Sequence, residues 1–79
     1  MKILVVEDTP LAARMAGVII EDLAFTPVIA MNAQQALDLI KVQTFDFIFM
    51  DIGLPDLDGF QVADSIRKSN TPNAAVPII

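Results

Sequence analysis

Four short apolar runs divide the chain at nearly regular intervals. Three of them, Ile3–Val6, Pro27–Met31 and Phe45–Met50, do not alternate regularly with polar residues, and Asp46 is their single polar residue. This pattern is typical of strands that are buried on both faces of a parallel sheet. The run VPII at 76–79 starts what we expect to be a fourth strand. Met50 and the phenylalanines of the third run are expected to lie in the core.

Between these runs, apolar residues recur at helical spacing. A first helix is predicted over residues 10–24, because Asp8-Thr9-Pro10 combines a capping side chain with Pro in the first turn. Asn32 is expected to cap a second helix. That helix carries its apolar residues at Ala33, Ala36, Leu37 and Ile40. A third helix is predicted over 57–69. We expect it to place three residues on one side, namely Phe60, Ala63 and Ile66.

The elements therefore alternate, strand-helix-strand-helix-strand-helix-strand, with a polar loop, SNTPNAA, before the last strand. Alternation of this kind predicts an α/β domain with a doubly wound parallel sheet and helices on both faces. The whole chain, 1–79, is expected to form part of one such domain. A sheet that stops within its fourth strand would leave an open edge, so we expect strand-edge association or a domain-swapped dimer.

Composition narrows the range of functions. The net charge of −5 argues against a nucleic-acid-binding face, which needs clustered Lys and Arg. The chain has no Cys and no His, so any metal ion must be a hard cation bound by oxygen. The first apolar run is too short for a signal peptide and none is long enough to span a membrane, so a cytoplasmic location is expected.

Acidic residues follow two of the predicted strands. Glu7 and Asp8 come directly after the first strand, and Asp51 comes directly after the third. Ligands of open α/β sheets bind beyond the carboxyl ends of the strands, where adjacent strands would bring these carboxylates together. A divalent cation such as Mg²⁺ would offset their repulsion. The chemistry indicated is Mg²⁺-assisted phosphoryl transfer with a carboxylate as acceptor.

Each of these residues also has a purely structural interpretation. Asp8 could serve only as a helix cap, Glu7 as a solvated strand end and Asp51 as a turn residue. The glycines that follow, Gly53 and Gly59, could simply supply positive φ angles, and Asp58 could cap the third helix. The functional interpretation depends on the combination of an acidic pair after one strand with a lone Asp, followed by Gly, Pro and Asp-Gly, after another.

The segments ILVVEDTP, MDIGLPDLDGF and VPII, in this order, resemble the receiver domain of two-component response regulators and hybrid sensor kinases. The match runs over the whole chain. The motifs are specific for this family when taken together, although each alone is weak evidence for it. Leu54 stands where the family often has Met. The resemblance implies a flavodoxin-like (CheY-like) fold with strand order 2-1-3-4-5, of which residues 1–79 would form about the first two-thirds.

The resemblance also implies roles for individual residues. Asp51 would be the phosphoacceptor, and Glu7 and Asp8 would be the pair that positions Mg²⁺, or Mn²⁺ in its place. The main-chain carbonyl of Gly53 would complete the metal site. Two further positions of the motif would shape the loop, namely Pro55 and Gly59. The Ser or Thr of such a site would lie just beyond the fourth strand and the Lys at the end of the fifth, so both are expected to be absent from residues 1–79.

The function implied is a signalling module and not a metabolic enzyme. A histidine kinase or a phosphotransfer protein would donate a phosphoryl group from phosphohistidine in a phosphorelay. A non-phosphorylated interaction module on the same fold remains an alternative. A Mg²⁺-dependent phosphatase is a further one, although haloacid-dehalogenase-type enzymes have Asp-x-Asp after their first strand and this chain has Glu7-Asp8.

Overall fold

The computed structural model describes residues 1–79 and contains three strands and three α-helices. In chain order these are β1 (Lys2–Val6), α1 (Pro10–Asp22), β2 (Thr26–Ala30), α2 (Ala33–Val42), β3 (Phe47–Met50) and α3 (Gly59–Arg67), followed by a short 3-10 helix (Pro72–Ala75). The strands pair in parallel in the order β2-β1-β3, with β1 in the centre. The predicted α/β order and the parallel sheet are confirmed.

Helices cover both faces of the sheet. Side chains of the central strand point alternately to the two faces, so residues of β1 contribute to a cluster on each face. Leu4 and Val6 belong to the larger core, which also takes in Ile48 and the buried residues of α2 and α3. Ile3 and Val5 face the opposite way and pack with Ile20 of α1. Continuous burial along β1 explains why its sequence shows no polar alternation.

The segment after the 3-10 helix reaches β3 without forming a full strand. Ile78 makes an isolated parallel bridge with Ile48. Three backbone hydrogen bonds support it, from Ile48 N to Pro77 O, from Ile79 N to Ile48 O and from Met50 N to Ile79 O, at 2.8–3.0 Å. The predicted fourth strand is therefore present as the start of a parallel pairing on the free side of β3.

Several expectations about individual residues are wrong. The third helix begins at Gly59 and not at residue 57, and it buries Gly59, Val62 and Ile66. Phe60 lies off this face and is 71% exposed.

Phe49 of β3, also expected to lie in the core, is 39% exposed, because α1 packs over β1 and β2 and leaves that side of β3 uncovered. Among the phenylalanines of the third apolar run, Phe45 alone is fully buried.

The end of α1 has an unusual backbone conformation. Ala24 adopts a φ of 65° and is the only residue of the chain other than glycine with positive φ. Its N–H donates to Glu21 O, and Phe25 N–H donates to Ile20 O. These two bonds form a Schellman motif, in which Gly is the usual residue at the left-handed position. An alanine there carries a steric cost that glycine would avoid.

Candidate metal and phosphoacceptor site

The pairing of β1 with β3 brings the predicted acids together. Val6 is paired with Met50, so Glu7 and Asp51 follow at the same level of the sheet. The backbone continues this alignment for one more step, since Asp51 N–H donates to Val6 O at 2.9 Å. On the other side of β1, Glu7 N–H donates to Ala30 O at 3.0 Å. Both acids are thus held by the sheet itself.

Glu7, Asp8 and Asp51 form one cluster at this edge. One carboxylate oxygen from each residue lies within 4.8 Å of the others, and all three residues are half-buried. At that separation two carboxylates repel by roughly 1 kcal/mol in water and by roughly 3 kcal/mol at an effective dielectric of 20. The convergence expected from the strand ends is therefore present and electrostatically unfavourable by itself.

No basic side chain compensates this charge. The single ion pair of the structure joins Lys68 to Asp64 on α3, at 2.9 Å. Lys2 instead donates to the side chain of Gln43, and Arg67 donates to main-chain carbonyls near the 3-10 helix. Three clustered carboxylates without a protein cation have the donor chemistry of a hard divalent ion site.

The structural interpretation of Asp8 as a helix cap is wrong. The N-cap residue of α1 is Thr9, and no side chain makes the capping hydrogen bond. Glu7 Oε1 accepts from Thr9 N–H at 3.1 Å, which orients the Glu7 side chain at the start of the turn. The Asp8 carboxylate accepts no hydrogen bond from the protein. It is therefore available to a ligand.

The loop from Asp51 to Asp58 connects the cluster to α3. Gly53 N–H donates to Asp51 Oδ1 at 3.2 Å. Neither Gly53 nor Gly59 has positive φ, so that interpretation of both glycines is wrong. Gly59 is required for a different reason, because a Cβ added there would lie 2.3 Å from the Asp51 carbonyl oxygen. Pro55 is exposed within this loop, beside the buried Leu54.

Two further acids of the loop cap helices. Asp58 accepts from Gln61 N–H and forms a capping box at the start of α3, so its structural interpretation as a cap is confirmed. Asp56, which sequence reasoning missed, accepts from Ala33 N–H at 2.9 Å and Gln34 N–H at 3.1 Å in the first turn of α2. These backbone bonds, the one from Ala33 above all, lower the pKa of Asp56. The sequence holds no local signal for a contact that spans so much of the chain.

Two clefts differ in what they can do chemically. One of about 420 Å³ opens beside Glu7 and Asp51 and continues over apolar residues of β1, β3 and α1. The other, of about 380 Å³, lies between α1 and the sheet and is lined by nine hydrophobic residues. With no polar group, the second cleft offers nothing to a charged substrate. The first one combines access with carboxylates and is the candidate site.

None of the helices combines the length and the apolar character that a bilayer-spanning helix needs.

Among curated proteins, the chain is similar to signalling proteins. It is 31% identical over 80 residues to the signal transduction histidine-protein kinase BarA of Escherichia coli (strain K12), covering 96% of this chain and 9% of BarA. It is 34% identical over 74 residues to the sensory transduction protein LytR of Staphylococcus haemolyticus (strain JCSC1435), covering 91% of this chain and 29% of LytR. The chain thus spans only a small part of these relatives.

Solved receiver domains have the same fold. A Francisella response regulator receiver domain superposes with a TM-score of 0.88 at 28% identity, over 98% of this chain and 61% of that one. The response regulator TrrA of Thermotoga maritima, solved in complex with Mg²⁺ and BeF, gives a TM-score of 0.84 at 29% identity, over 87% of this chain and 60% of that one. The family model of the response regulator receiver domain matches residues 3–79. On these grounds the chain belongs to the response regulator receiver domain family, whose flavodoxin-like fold its incomplete sheet follows.

Proposed function

We propose that the chain accepts a phosphoryl group on Asp51, from the phosphohistidine of a histidine kinase or a phosphotransfer protein, and so relays a two-component signal in the cytoplasm. The single observation that carries this proposal is the convergence of Glu7, Asp8 and Asp51 within 4.8 Å, with no basic side chain to neutralise them. Mg²⁺ is the expected cofactor, and Mn²⁺ has the same preference for carboxylate ligands.

The residues present fit such an ion. Glu7 and Asp8 would hold it from the end of β1, Asp51 from the end of β3, and the main-chain carbonyl of Gly53 from the loop. A bound divalent ion supplies positive charge that offsets both the clustered carboxylates and the oxygens of an incoming phosphoryl group. The remaining steps are performed by the chain and its phosphodonor.

Asp51 is oriented for nucleophilic attack. Its Oδ1 accepts from Gly53 N–H, and its Oδ2 accepts no hydrogen bond. A carboxylate oxygen of Asp51 attacks phosphorus in line with the bond to the donor imidazole. That bond breaks and its electron pair returns to the ring nitrogen, which leaves as neutral imidazole when the other ring nitrogen carries a proton. The product is an aspartyl phosphate, a mixed anhydride.

Intact mass spectrometry tests this assignment. The chain is incubated with Mg²⁺ and acetyl phosphate, beside Asp51→Asn and beside Asp22→Asn, a control at the exposed far end of α1. We expect one phosphoryl adduct on the unmodified chain and on the control. We expect none on Asp51→Asn and none when EDTA removes the divalent ion, and circular dichroism establishes that each sample is folded.

An adduct that persists on Asp51→Asn at the same rate would overturn the assignment of the acceptor. A folded chain that binds Mg²⁺ and never acquires an adduct would instead favour the non-phosphorylated interaction module. Steady release of phosphate from a small phosphate ester, with no accumulating adduct, would favour the phosphatase.

A further inference from the structure

One acid of the loop after β3 is bound to a distant part of the chain. Asp56 uses both carboxylate oxygens on the first turn of α2, with Oδ1 accepting from Ala33 N–H and Oδ2 from Gln34 N–H. Its Oδ1 also accepts from Leu57 N–H at 3.1 Å within its own loop. The same carboxylate therefore joins the loop that follows the phosphoacceptor to a helix more than twenty residues earlier in sequence.

Helix α2 needs this carboxylate to complete its cap. The first turn of a helix has backbone N–H groups without partners inside the helix. Asn32, the N-cap residue, accepts from Gln35 N–H at 2.8 Å and leaves two donors of that turn to Asp56. The positive end of the helix dipole also favours an ionised group there. The lowered pKa of Asp56 is consistent with this arrangement.

The loop has few other attachments between its ends. Leu54 is buried in the larger core, and Gly59 N–H closes the loop on Ile52 O at 2.9 Å. Pro55, Leu57 and Asp58 are exposed. Asp56 is thus the attachment that links the exposed middle of the loop to a part of the fold outside α3. Asp51 itself is held by the bond from its N–H to Val6 O, so releasing Asp56 loosens the loop that follows Asp51 and carries Gly53.

We infer that Asp56 is a positioning residue for the phosphoacceptor site. It attaches the loop that follows Asp51 and carries Gly53 to the N-terminus of α2, and so holds this loop in the geometry that would bind the ion. The inference rests on the proposed function for its biological meaning. Its physical content, that removing the carboxylate loosens the loop and weakens Mg²⁺ binding, can be measured with no phosphodonor present.

The matched control is Asn32→Ala. It removes the other side-chain cap of the same helix terminus, the bond to Gln35 N–H, and leaves the loop after β3 untouched. A change that follows from weakening α2 alone appears in both Asp56→Ala and Asn32→Ala. A change that follows from releasing the loop appears in Asp56→Ala only. Asp56→Asn serves as a conservative variant, because its amide oxygen retains one acceptor group without the charge.

Two measurements are made on the 79-residue chain and these variants. In hydrogen exchange, peptides covering residues 51–58 are expected to exchange faster in Asp56→Ala than in the unmodified chain, with no change in Asn32→Ala. Mg²⁺ titration is expected to give a dissociation constant raised about tenfold in Asp56→Ala, at the lower end of losses seen when residues supporting metal ligands are removed. For Asp56→Asn, both the exchange rate of the loop and the Mg²⁺ dissociation constant are expected to lie between those of Asp56→Ala and the unmodified chain.

Equal loop exchange and equal Mg²⁺ affinity in Asp56→Ala and the unmodified chain would overturn the inference. Equal changes in Asp56→Ala and Asn32→Ala would also overturn it, because they would assign the effect to α2 stability. If Asp56→Ala itself fails to fold, Asp56→Asn decides by the same comparison. Failure of the proposed function is a separate result, since absence of an Asp51 adduct on the unmodified chain leaves both measurements unaffected.

Discussion

Replacing Gly59 by Ala is expected to disturb Asp51, the proposed acceptor, directly through the backbone. The added Cβ would lie 2.3 Å from the carbonyl oxygen of Asp51, and 2.9 Å from the Asp51 carbonyl carbon and from Ile52 Cα. Real Cβ contacts essentially never fall under 3.0 Å, so the two segments must separate by about 0.7 Å. All three obstructing atoms are main-chain atoms, so no side-chain rotation relieves the overlap. The hydrogen bond from Gly59 N–H to Ile52 O must lengthen as well.

The expected loss can be estimated from these contacts. Forcing an extra methyl group into a packed site costs about 1–3 kcal/mol, and weakening one buried hydrogen bond adds up to about 1 kcal/mol. The higher helix propensity of Ala returns up to about 1 kcal/mol at the first residue of α3. We therefore expect Gly59→Ala to lower the free energy of unfolding by about 2 kcal/mol.

Gly53→Ala is the matched control. It lies in the loop that leads to α3, has no positive φ, and an added Cβ there would meet no heavy atom within 4 Å. Its effect on the free energy of unfolding is expected to stay within about 0.5 kcal/mol. The same substitution at these two nearby glycines thus differs mainly in the close approach of the added Cβ to Asp51.

The assay is urea unfolding followed by circular dichroism, with all three chains at the same concentration. The rate of phosphoryl acceptance from acetyl phosphate is measured in parallel. Because displacement of a reacting group by about 1 Å can cost about a hundredfold in rate, we expect a much larger rate loss in Gly59→Ala than in Gly53→Ala. Equal urea midpoints and equal rates for the two variants would refute the steric argument.

Two other predictions concern stability away from the site. Asn73→Ala is expected to lower the free energy of unfolding by about 3 kcal/mol, because the fully buried amide of Asn73 bonds to Phe45 N–H and to two carbonyls at 2.7–2.8 Å. The exposed Asn70→Ala is the control, and a loss in Asn73→Ala no larger than in that control would contradict the prediction. Ala24→Gly is expected to raise the free energy of unfolding by about 0.5–1 kcal/mol, since relief at φ 65° exceeds the entropy cost of glycine. Thermal unfolding checks it, and a lowered midpoint would count against it.

Much of the site could be predicted because it depends on topology. Continuous apolar runs followed by acids indicated parallel strands with carboxylates at one edge, and Glu7, Asp8 and Asp51 are indeed brought together. The parallel pairing of β1 with β3 needs no knowledge of side-chain packing. The alternation of strands and helices predicts the parallel sheet, and the resemblance to receiver domains adds the strand order that places β1 beside β3.

What the sequence did not reveal depends on distant contacts. The exposure of Phe49 and Phe60 depends on which faces neighbouring elements cover, and apolarity alone does not specify this. In the sequence Asp56 cannot be distinguished from an ordinary turn residue. Its capping role depends on the packing of the loop after β3 against α2. Asn73 likewise belongs to a polar loop in the sequence, which does not reveal that its buried amide links that loop to the end of α2. Each role comes from tertiary packing.

The register of β1 against β3 has a thermodynamic consequence for folding. A slip of one residue would move Asp51 by about 3.3 Å and turn its side chain to the other face of the sheet. In the slipped sheet Asp51 could not share an ion with Glu7 and Asp8. A bound ion therefore adds stability only to the sheet in which Val6 faces Met50, by about 2.7 kcal/mol at a hundredfold excess over its dissociation constant. If the site binds the ion as proposed, the divalent ion concentration would select among strand alignments, and refolding with Mg²⁺ present should populate fewer misaligned sheets than refolding without it.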